Sequence, residues 1–179
     1  MSWLSYLQPP KIVRRFNKSE DGVTAVEFAI IGGPFFLLIF AIIEASLFFF
    51  ASQYLETIID DTTRLFRTGQ FNTTTTEDQF RTEFCSRLAV LFECDDVRTE
   101  LQVAATFADL QDPSAPDDDG NLPGNGYPGT GPGARQIIQL SAQYKWPVFT
   151  NFAAPLLHTP GGDYALIQVV SVTRTEPFE

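Results

Sequence analysis

One stretch of the chain, residues 28–51, is apolar almost without interruption. It has 24 residues and a single charge, Glu44. As a helix it would be about 36 Å long, which exceeds the ~30 Å hydrocarbon core of a bilayer. Such a helix has no polar face to present to water, and a chain of this size could hardly cover it on all sides. We therefore predict a transmembrane helix over residues 23–51, with a buried core helix as the weaker alternative.

A cleaved secretory signal is a second alternative for this stretch. Such a signal has an apolar region of about 7–15 residues followed by a cleavage site of small residues. Here the apolar run is longer, 22 residues precede the predicted helix, and no such site follows soon after it. We expect the helix to stay in the mature protein.

After residue 51 the apolar positions recur with a helical period, which predicts a polar helical stalk over residues 52–69. Gly69 is a suitable residue to end it. Thr76 and Gln79 have the spacing of a capping box and predict a second helix near 77–92. The stalk stripe comprises Ala51, Leu55, Ile58, Ile59, Thr62, Leu65 and Phe66, and the second helix has Phe80, Phe84, Leu88 and Leu91 on its apolar face.

Three later stretches have the pattern of strands: residues 97–107, 136–148 and 164–175. The first two alternate apolar and mostly polar positions, with Leu101, Val103 and Ala105 on one and Ile138, Leu140 and Ala142 on the other. The third alternates less cleanly, as a strand buried on both faces does. The fold class expected is α+β: a long N-terminal transmembrane and stalk helix, then a domain over residues 70–179 with one helix and about three antiparallel strands.

A segment rich in Pro, Gly and Asp, residues 111–134, separates the first two strands and predicts a flexible loop. Within it, residues 117–121 read DDDGN. This sequence could attract calcium, but it lacks the spacing and the distal Glu of an EF-hand. A solvated turn is the better interpretation.

Charge is distributed unevenly along the chain, whose formal net charge is −10. Residues 1–22 carry four basic and two acidic residues (4 − 2 = +2), whereas residues 52–179 carry 8 basic and 18 acidic residues (8 − 18 = −10). The positive-inside rule places the basic leader, residues 1–22, in the cytoplasm. In a bacterium, the chain would then be a single-pass inner-membrane protein with a periplasmic C-terminal domain. Because binding to phosphates needs a basic surface, we expect no nucleic-acid partner.

The two cysteines, Cys85 and Cys94, would lie in an oxidising compartment. A structural disulfide is the favoured interpretation, ahead of a metal site or a redox pair, because there is no C-x-x-C and His158 is the only histidine. His158, in LLHTPGG, suits a turn better than catalysis. We expect no enzyme activity, no catalytic or metal site, no cofactor and no small-molecule substrate.

The junction between leader and helix reads SEDGVTAVEFAII. Gly22 precedes Val23, and Glu27 is the fifth residue after Gly22. A carboxylate in an apolar helix costs roughly 2.5–3.5 kcal/mol at the membrane centre and less near the edge, so Glu27 needs a partner. The alternative is that Glu27 ends the soluble flank and touches lipid headgroups.

This junction resembles the type III signal of type IV pilins and pseudopilins. The resemblance implies that a membrane aspartyl prepilin peptidase cuts between Gly22 and Val23. It also implies that the new amino group of Val23 pairs with Glu27 of the same or a neighbouring subunit. The main pilin families have Phe after the cut, and Val at this position puts in question which peptidase acts and whether the new terminus is N-methylated.

A closer resemblance is to the TadE-like pseudopilins of tight-adherence (Tad or Flp) pilus systems. Its evidence is the AVEFA start around Glu27, Pro34, the late acidic residue Glu44 and the ending RTEPF at residues 174–178. The resemblance is specific over roughly residues 22–66 and loose beyond. It implies a minor pilin that takes part in assembling an adhesive pilus. Its partners would be the membrane, the prepilin peptidase, other pilins and pseudopilins, and the inner-membrane pilus platform.

Other residues of the predicted span suit assembly. Ala25, Ala29 and Gly33 lie four apart and would permit close helix contact, although such stripes also arise by chance in apolar sequence. Glu44, deep in an apolar run, suggests a functional contact, the alternative being a side chain that extends toward the headgroups. Pro34 should kink or loosen the helix.

Two rival functions remain. One is an uncleaved, membrane-anchored periplasmic binding module with residues 111–134 as its recognition surface. The other is an anchored periplasmic enzyme, which the scarcity of catalytic residues disfavours.

Overall fold

A long helix, α1, runs from Val23 to Arg67 and continues through Pro34. The computed structural model describes residues 22–88, 91–149 and 164–178. The basic residues of the leader and His158 lie outside these ranges. The contacts divide the chain into two units, the first ending at Ile42 and the second beginning at Ile43.

The first unit consists of α1 up to Ile42, and its side chains are exposed around almost the whole helix. Exposed fractions reach 68% at Phe28 and 70% at Ile31. By length and composition α1 can cross a membrane, and only 6% of its most apolar window is buried. A core helix of a soluble domain would be covered on most sides, so this exposure supports the predicted membrane helix.

In the second unit, the remainder of α1 buries one face against the rest of the domain. This face follows the i, i+3/i+4 spacing of a helix in contact along one side. α1 ends at Arg67, and Gly69 follows with φ +76°, so the stop predicted at Gly69 is confirmed within two residues. The buried face comprises Glu44, Ala51, Leu55, Ile58, Ile59, Thr62, Thr63 and Phe66.

The second helix, α2, spans Glu77–Arg87 and begins with the predicted capping box. The Gln79 amide donates to Thr76 Oγ1, and the Thr76 amide donates to Gln79 Oε1. α2 is shorter than the predicted 77–92, and Leu91 lies beyond its end. The disulfide explains the early end, because a helix rising ~1.5 Å per residue would separate residues 85 and 94 by about 13 Å. The Cα atoms of Cys85 and Cys94 are 5.4 Å apart.

Three strands form one antiparallel sheet in the order β1-β2-β3: β1 is Arg98–Ala104, β2 is Ile137–Pro147 and β3 is Tyr164–Arg174. Leu101 lies opposite Leu140, and Leu140 lies opposite Ser171. The predicted α+β class is therefore confirmed. β1 ends before the predicted residue 107, because a short 3₁₀ turn, Phe107–Asp109, follows it.

The predicted inward positions of the sheet are correct except at one residue. Leu101, Ile138, Leu140 and Ala142 belong to the buried core and Val103 packs against it. Ala105 lies past the end of β1 and is exposed.

Burial on both faces was expected for β3 and is found instead in β2, so that expectation is wrong. Seven consecutive residues from Ile137 to Gln143 are buried, whereas Val170 and Val172 of β3 are 42% and 43% exposed. The reason is topological. β2 is the central strand and is covered on its outer face by the segment after β1, whereas β3 is an edge strand.

The C-terminal segment closes the domain against the end of α1. The amide of Thr175 donates to Gln136 O and the amide of Glu176 donates to Arg67 O, each at 2.9 Å. A Cβ atom built on Gly69 would lie 2.6 Å from the ring of Phe178. The RTEPF ending thus has a structural role in holding the end of α1.

We predict that Gly69→Ala lowers the free energy of unfolding by about 1–3 kcal/mol, the range for a residue forced into a sparsely populated backbone conformation. Its positive φ and the close Phe178 ring both disfavour a side chain. The measurement is urea unfolding of the detergent-solubilised full chain. Gly124→Ala is the control, since nothing lies within 4 Å of its Cβ position. Equal stability of the two variants would contradict the prediction.

Candidate functional site

The N-terminal turns of α1 hold the predicted processing and pairing residues. Gly22 lies immediately before Val23, the first residue of α1. Glu27 is exposed and lies one helical turn beyond Val23, about 6 Å along the axis. Its carboxylate makes no hydrogen bond or ion pair with the part of the chain that the structure describes. A carboxylate at this position is available to a group outside its own helix.

The small residues Ala25, Ala29 and Gly33 are all exposed. Their spacing of four places them along one side of α1. A Cβ built on Gly33 would meet no atom within 4 Å, so no contact within the chain requires glycine there. The helix packing predicted for this face stays a prediction.

Glu44 has a contact that neither interpretation of the sequence included. It is only 4% exposed, and one carboxylate oxygen accepts the backbone N–H of Phe149 at 2.5 Å. Phe149 lies two residues beyond the end of β2. Glu44 therefore joins α1 to the sheet within the second unit.

A signal for this contact was present in the sequence. Glu44, Phe48, Ala51 and Leu55 are spaced by four, three and four residues, which continues the stripe of the stalk toward the N-terminus. The uniform apolarity of residues 28–51 concealed this stripe, because lipid-facing and core-facing positions have the same composition. In the structure the stripe marks the side of α1 that packs on the domain.

The segment 111–134 is attached to the sheet at several points. Gly126 pairs with Glu100 as an isolated parallel bridge, through bonds from Leu101 N to Gly126 O at 2.8 Å and from Gly126 N to Thr99 O at 2.9 Å. The side-chain amides of Gln139 and Gln143 donate to the carbonyls of Gln111 and Ser114, each at 2.8 Å. These bonds explain why β2 can bury polar side chains, since buried polar groups need partners. The flexibility predicted for this segment stays a prediction.

The DDDGN segment forms a turn closed by its own side chains. Asn121 donates to the Asp117 carboxylate through its backbone N–H at 2.6 Å and its side-chain amide at 3.0 Å. These hydrogen bonds lower the pKa of Asp117 below its ordinary value. Because the Asp117 carboxylate already accepts these two hydrogen bonds, a turn accounts for this segment. Within residues 22–88, 91–149 and 164–178, no group of three or more potential ligand side chains could hold a metal ion.

The predicted disulfide between Cys85 and Cys94 is present. It ties α2 to the chain leading into β1. The guanidinium of Arg81 spans the same region, donating to Cys94 O at 3.3 Å and to Asn125 Oδ1 at 3.1 Å. Asn125 Oδ1 also accepts from Thr99 N at 3.0 Å. One arginine and one asparagine thus connect the disulfide, the 111–134 segment and β1.

A long apolar helix near the N-terminus, followed by an α+β domain, defines a class of proteins built as a helical anchor with a folded domain. Within this class, the family model of TadE-like proteins matches residues 22–64. Over this segment, 43 of the 179 residues, the chain is similar to TadE-like proteins. The match begins at Gly22, covers most of α1 and ends before α2 and the sheet. No curated protein and no solved structure matches the chain.

We predict that Asn125→Ala releases the 111–134 segment from β1 and lowers the free energy of unfolding by about 1–3 kcal/mol. The reason is that the backbone N–H of Thr99 loses its hydrogen-bond acceptor, Asn125 Oδ1. Hydrogen exchange of the full chain in detergent would show faster exchange at the Leu101 and Gly126 amides. The exposed Thr130→Ala is the control. Unchanged exchange at both amides would contradict the prediction.

Proposed function

We propose that this chain is a minor pseudopilin that takes part in assembling a Tad pilus. The observation that supports this most is the coincidence of the TadE-like match, Gly22 and the start of α1: the family model begins at Gly22 and the helix begins at the next residue, Val23. Exposed apolar side chains around the first unit of α1 suit a helix that lies in a bilayer and then against other helices.

The proposed processing step is hydrolysis of the peptide bond between Gly22 and Val23 by a prepilin peptidase. It leaves 179 − 22 = 157 residues with a new amino group on Val23. That group lies about one turn from Glu27 in its own helix or approaches the Glu27 of a neighbour. Pairing would remove the cost of an isolated carboxylate in an apolar surrounding and set the position of one subunit against the next.

The proposed topology has the N-terminus in the cytoplasm and the α+β domain in the periplasm. Four basic residues in the leader favour retention on the cytoplasmic side. The disulfide suits an oxidising compartment. Lateral contacts along Ala25, Ala29 and Gly33 would allow helices to approach closely in the membrane.

The role proposed is assembly and not catalysis. The uncleaved binding module is the alternative, in which the 111–134 segment would carry the function. That alternative needs neither cleavage after Gly22 nor the Glu27 carboxylate. Substitution of either residue should therefore impair a pseudopilin and leave a binding module functional.

Substituting Gly22 tests the processing step. We predict that Gly22→Val blocks cleavage, because a bulky side chain before the cut would obstruct the entry of the backbone into the protease cleft, where glycine has no side chain. Intact-mass analysis of membrane-extracted protein would then show the unprocessed chain, whereas the unchanged chain in the same cells starts at Val23. Deleting the peptidase should likewise leave the unchanged chain unprocessed, with a mass that differs from that of Gly22→Val only by the substitution itself.

A chain that keeps Met1 in cells with an active peptidase would overturn the pseudopilin proposal. Gly124→Val is a suitable control for expression, because Gly124 lies in the 111–134 segment with no atom within 4 Å of its Cβ position.

Substituting Glu27 tests the pairing step. We predict that Glu27→Ala is still cut after Gly22 but is reduced about tenfold or more in sheared pili, the loss expected if one charge-assisted contact of about 1.5–3 kcal/mol is removed. The amount of Glu27→Gln in sheared pili should lie between those of the unchanged chain and of Glu27→Ala, since glutamine keeps the size of the side chain and loses its charge. Immunoblots of sheared pili against membranes give the ratio.

Exposed Glu56 offers a matched control on the same helix, and Glu56→Ala should leave that ratio unchanged. If Glu27→Ala had no effect while deletion within residues 111–134 abolished function, the binding module would be supported instead.

A further inference from the structure

Two arginines line an open cleft at the end of the α+β domain where β2 begins and β3 ends. The cleft has a volume of about 450 Å³, and Arg135, Arg174, Thr175 and Glu176 line it. Arg135 stands two residues before the start of β2, and Arg174 is the last residue of β3. All four residues belong to the second unit, so the cleft is a property of the domain alone.

Most of the donors of the two guanidinium groups have no partner. Arg174 Nε donates to Arg135 O at 3.1 Å, which holds the Arg174 side chain beside the backbone of Arg135. The two terminal nitrogens of Arg174 and the whole guanidinium of Arg135 make no hydrogen bond or ion pair within the described ranges of the chain. A guanidinium presents its N–H donors as a planar fork, which matches the spacing of two oxygens on an anion.

The backbone of Arg135 has a conformation that disfavours arginine. Its φ is +62°, and Arg135 is the one non-glycine residue with positive φ among residues 22–88, 91–149 and 164–178. Glycine and asparagine adopt this region at lower cost, and the Arg135 side chain forms no hydrogen bond or ion pair in this part of the chain that would compensate. Residues kept in such conformations concentrate at functional sites. The positive φ is therefore evidence for a role of this side chain outside the chain's own fold.

Hydrogen bonds on both sides hold Arg135 in this conformation. Gly133 N donates to Gln136 Oε1 at 2.6 Å, and Gln136 N donates to Thr175 Oγ1 at 2.9 Å. Thr175 N donates in return to Gln136 O at 2.9 Å. The turn before β2 is thus tied to the residue after Arg174, and both arginines extend from a fixed backbone. Fixed donors lose less conformational freedom when a ligand binds.

The charges around the cleft favour an anion that carries more than one negative charge. Among the described residues, Glu176 is the acidic side chain of the cleft, and it forms an exposed ion pair with Arg67 at 3.8 Å. Arg64 is exposed one turn before Arg67 on α1. A phosphate monoester carries about −1.5 to −2 at pH 7 and has three acceptor oxygens, so that one phosphate group can serve both cleft arginines. A carboxylate has a single charge and two oxygens.

We propose that Arg135 and Arg174 form a binding site for a phosphate group, which accepts hydrogen bonds from both guanidinium forks. The proposal concerns the α+β domain and depends neither on processing after Gly22 nor on pilus assembly. Free phosphate and the phosphate monoester of a larger molecule share this chemistry, and titration with each distinguishes them.

Substituting Arg135 with glycine separates binding from folding. The full chain in nonionic detergent is titrated at constant ionic strength with inorganic phosphate and with glycerol 3-phosphate, and the NMR resonances of the arginine Nε–H groups are followed. We expect saturable shifts at Arg135 and Arg174. Arg135→Gly should weaken binding about tenfold or more, since charge-assisted hydrogen bonds are lost. Its midpoint of urea unfolding should rise or stay unchanged, because glycine accepts a positive φ.

Two further variants separate the fork from the charge. Arg98→Gln removes one positive charge at the start of β1, opposite Gln143 and away from the cleft, and should leave the affinity within about twofold because distant exposed charges are screened. Arg174→Lys keeps the charge and loses the planar fork, and should weaken binding severalfold. Tighter binding of glycerol 3-phosphate than of phosphate would support an esterified ligand, whereas equal binding would support free phosphate.

Three outcomes would overturn the proposal. The first is the absence of saturable shifts at Arg135 and Arg174 with either phosphate compound. The second is an equal loss of affinity in Arg98→Gln and Arg135→Gly, which would show general attraction to the positive charges of the domain. The third concerns Glu179, which lies outside the described residues. If Glu179→Gln without phosphate shifted both arginine resonances as far as phosphate does, the chain's own C-terminal residue would be the occupant of the cleft.

Discussion

The burial of one face of α1 against the α+β domain is the interaction on which the rest of the structure depends. A three-stranded sheet with a single short helix has little core of its own, and the second half of α1 supplies the missing surface. Leu55, Ile59 and Phe66 are fully covered, and Phe66 packs on Phe71 and Phe80 with ring centroids 5.1 and 5.8 Å away. The domain is therefore built around the helix that also forms the anchor.

Much of this architecture follows from residue pattern alone. The membrane helix, the stop at Gly69, the Thr76–Gln79 capping box, the disulfide and three strands are all local or short-range features, in which side-chain chemistry and spacing act over a few residues. The end predicted for α2 is too late, because the apolar pattern extends to Leu91 while the disulfide turns the chain back earlier. A covalent link between residues nine apart outweighs helical propensity.

The parts that pattern did not predict are those that depend on contacts far along the chain. The buried polar face of β2 looks solvent-facing in sequence, since Gln139, Ser141 and Gln143 alternate with apolar residues. The 111–134 segment covers this face, and its backbone carbonyls at Gln111 and Ser114 accept the side-chain amide hydrogens of Gln139 and Gln143. Composition identified that segment as loop, but its attachment to β1 and β2 is a matter of three-dimensional position.

The position of Glu44 shows how one carboxylate can change the interpretation of an apolar run. An acid within 24 apolar residues suggests a contact inside the membrane, and length alone assigns all of residues 23–51 to the bilayer. A bond to Phe149, 105 residues later, gives the same carboxylate a role in joining sheet to helix. The apolar residues on the stripe then face protein, while Leu47, Phe49 and Phe50 beside it are exposed. The second half of α1 thus belongs to the core of the domain, while the first half, up to Ile42, is exposed and apolar enough to cross a membrane.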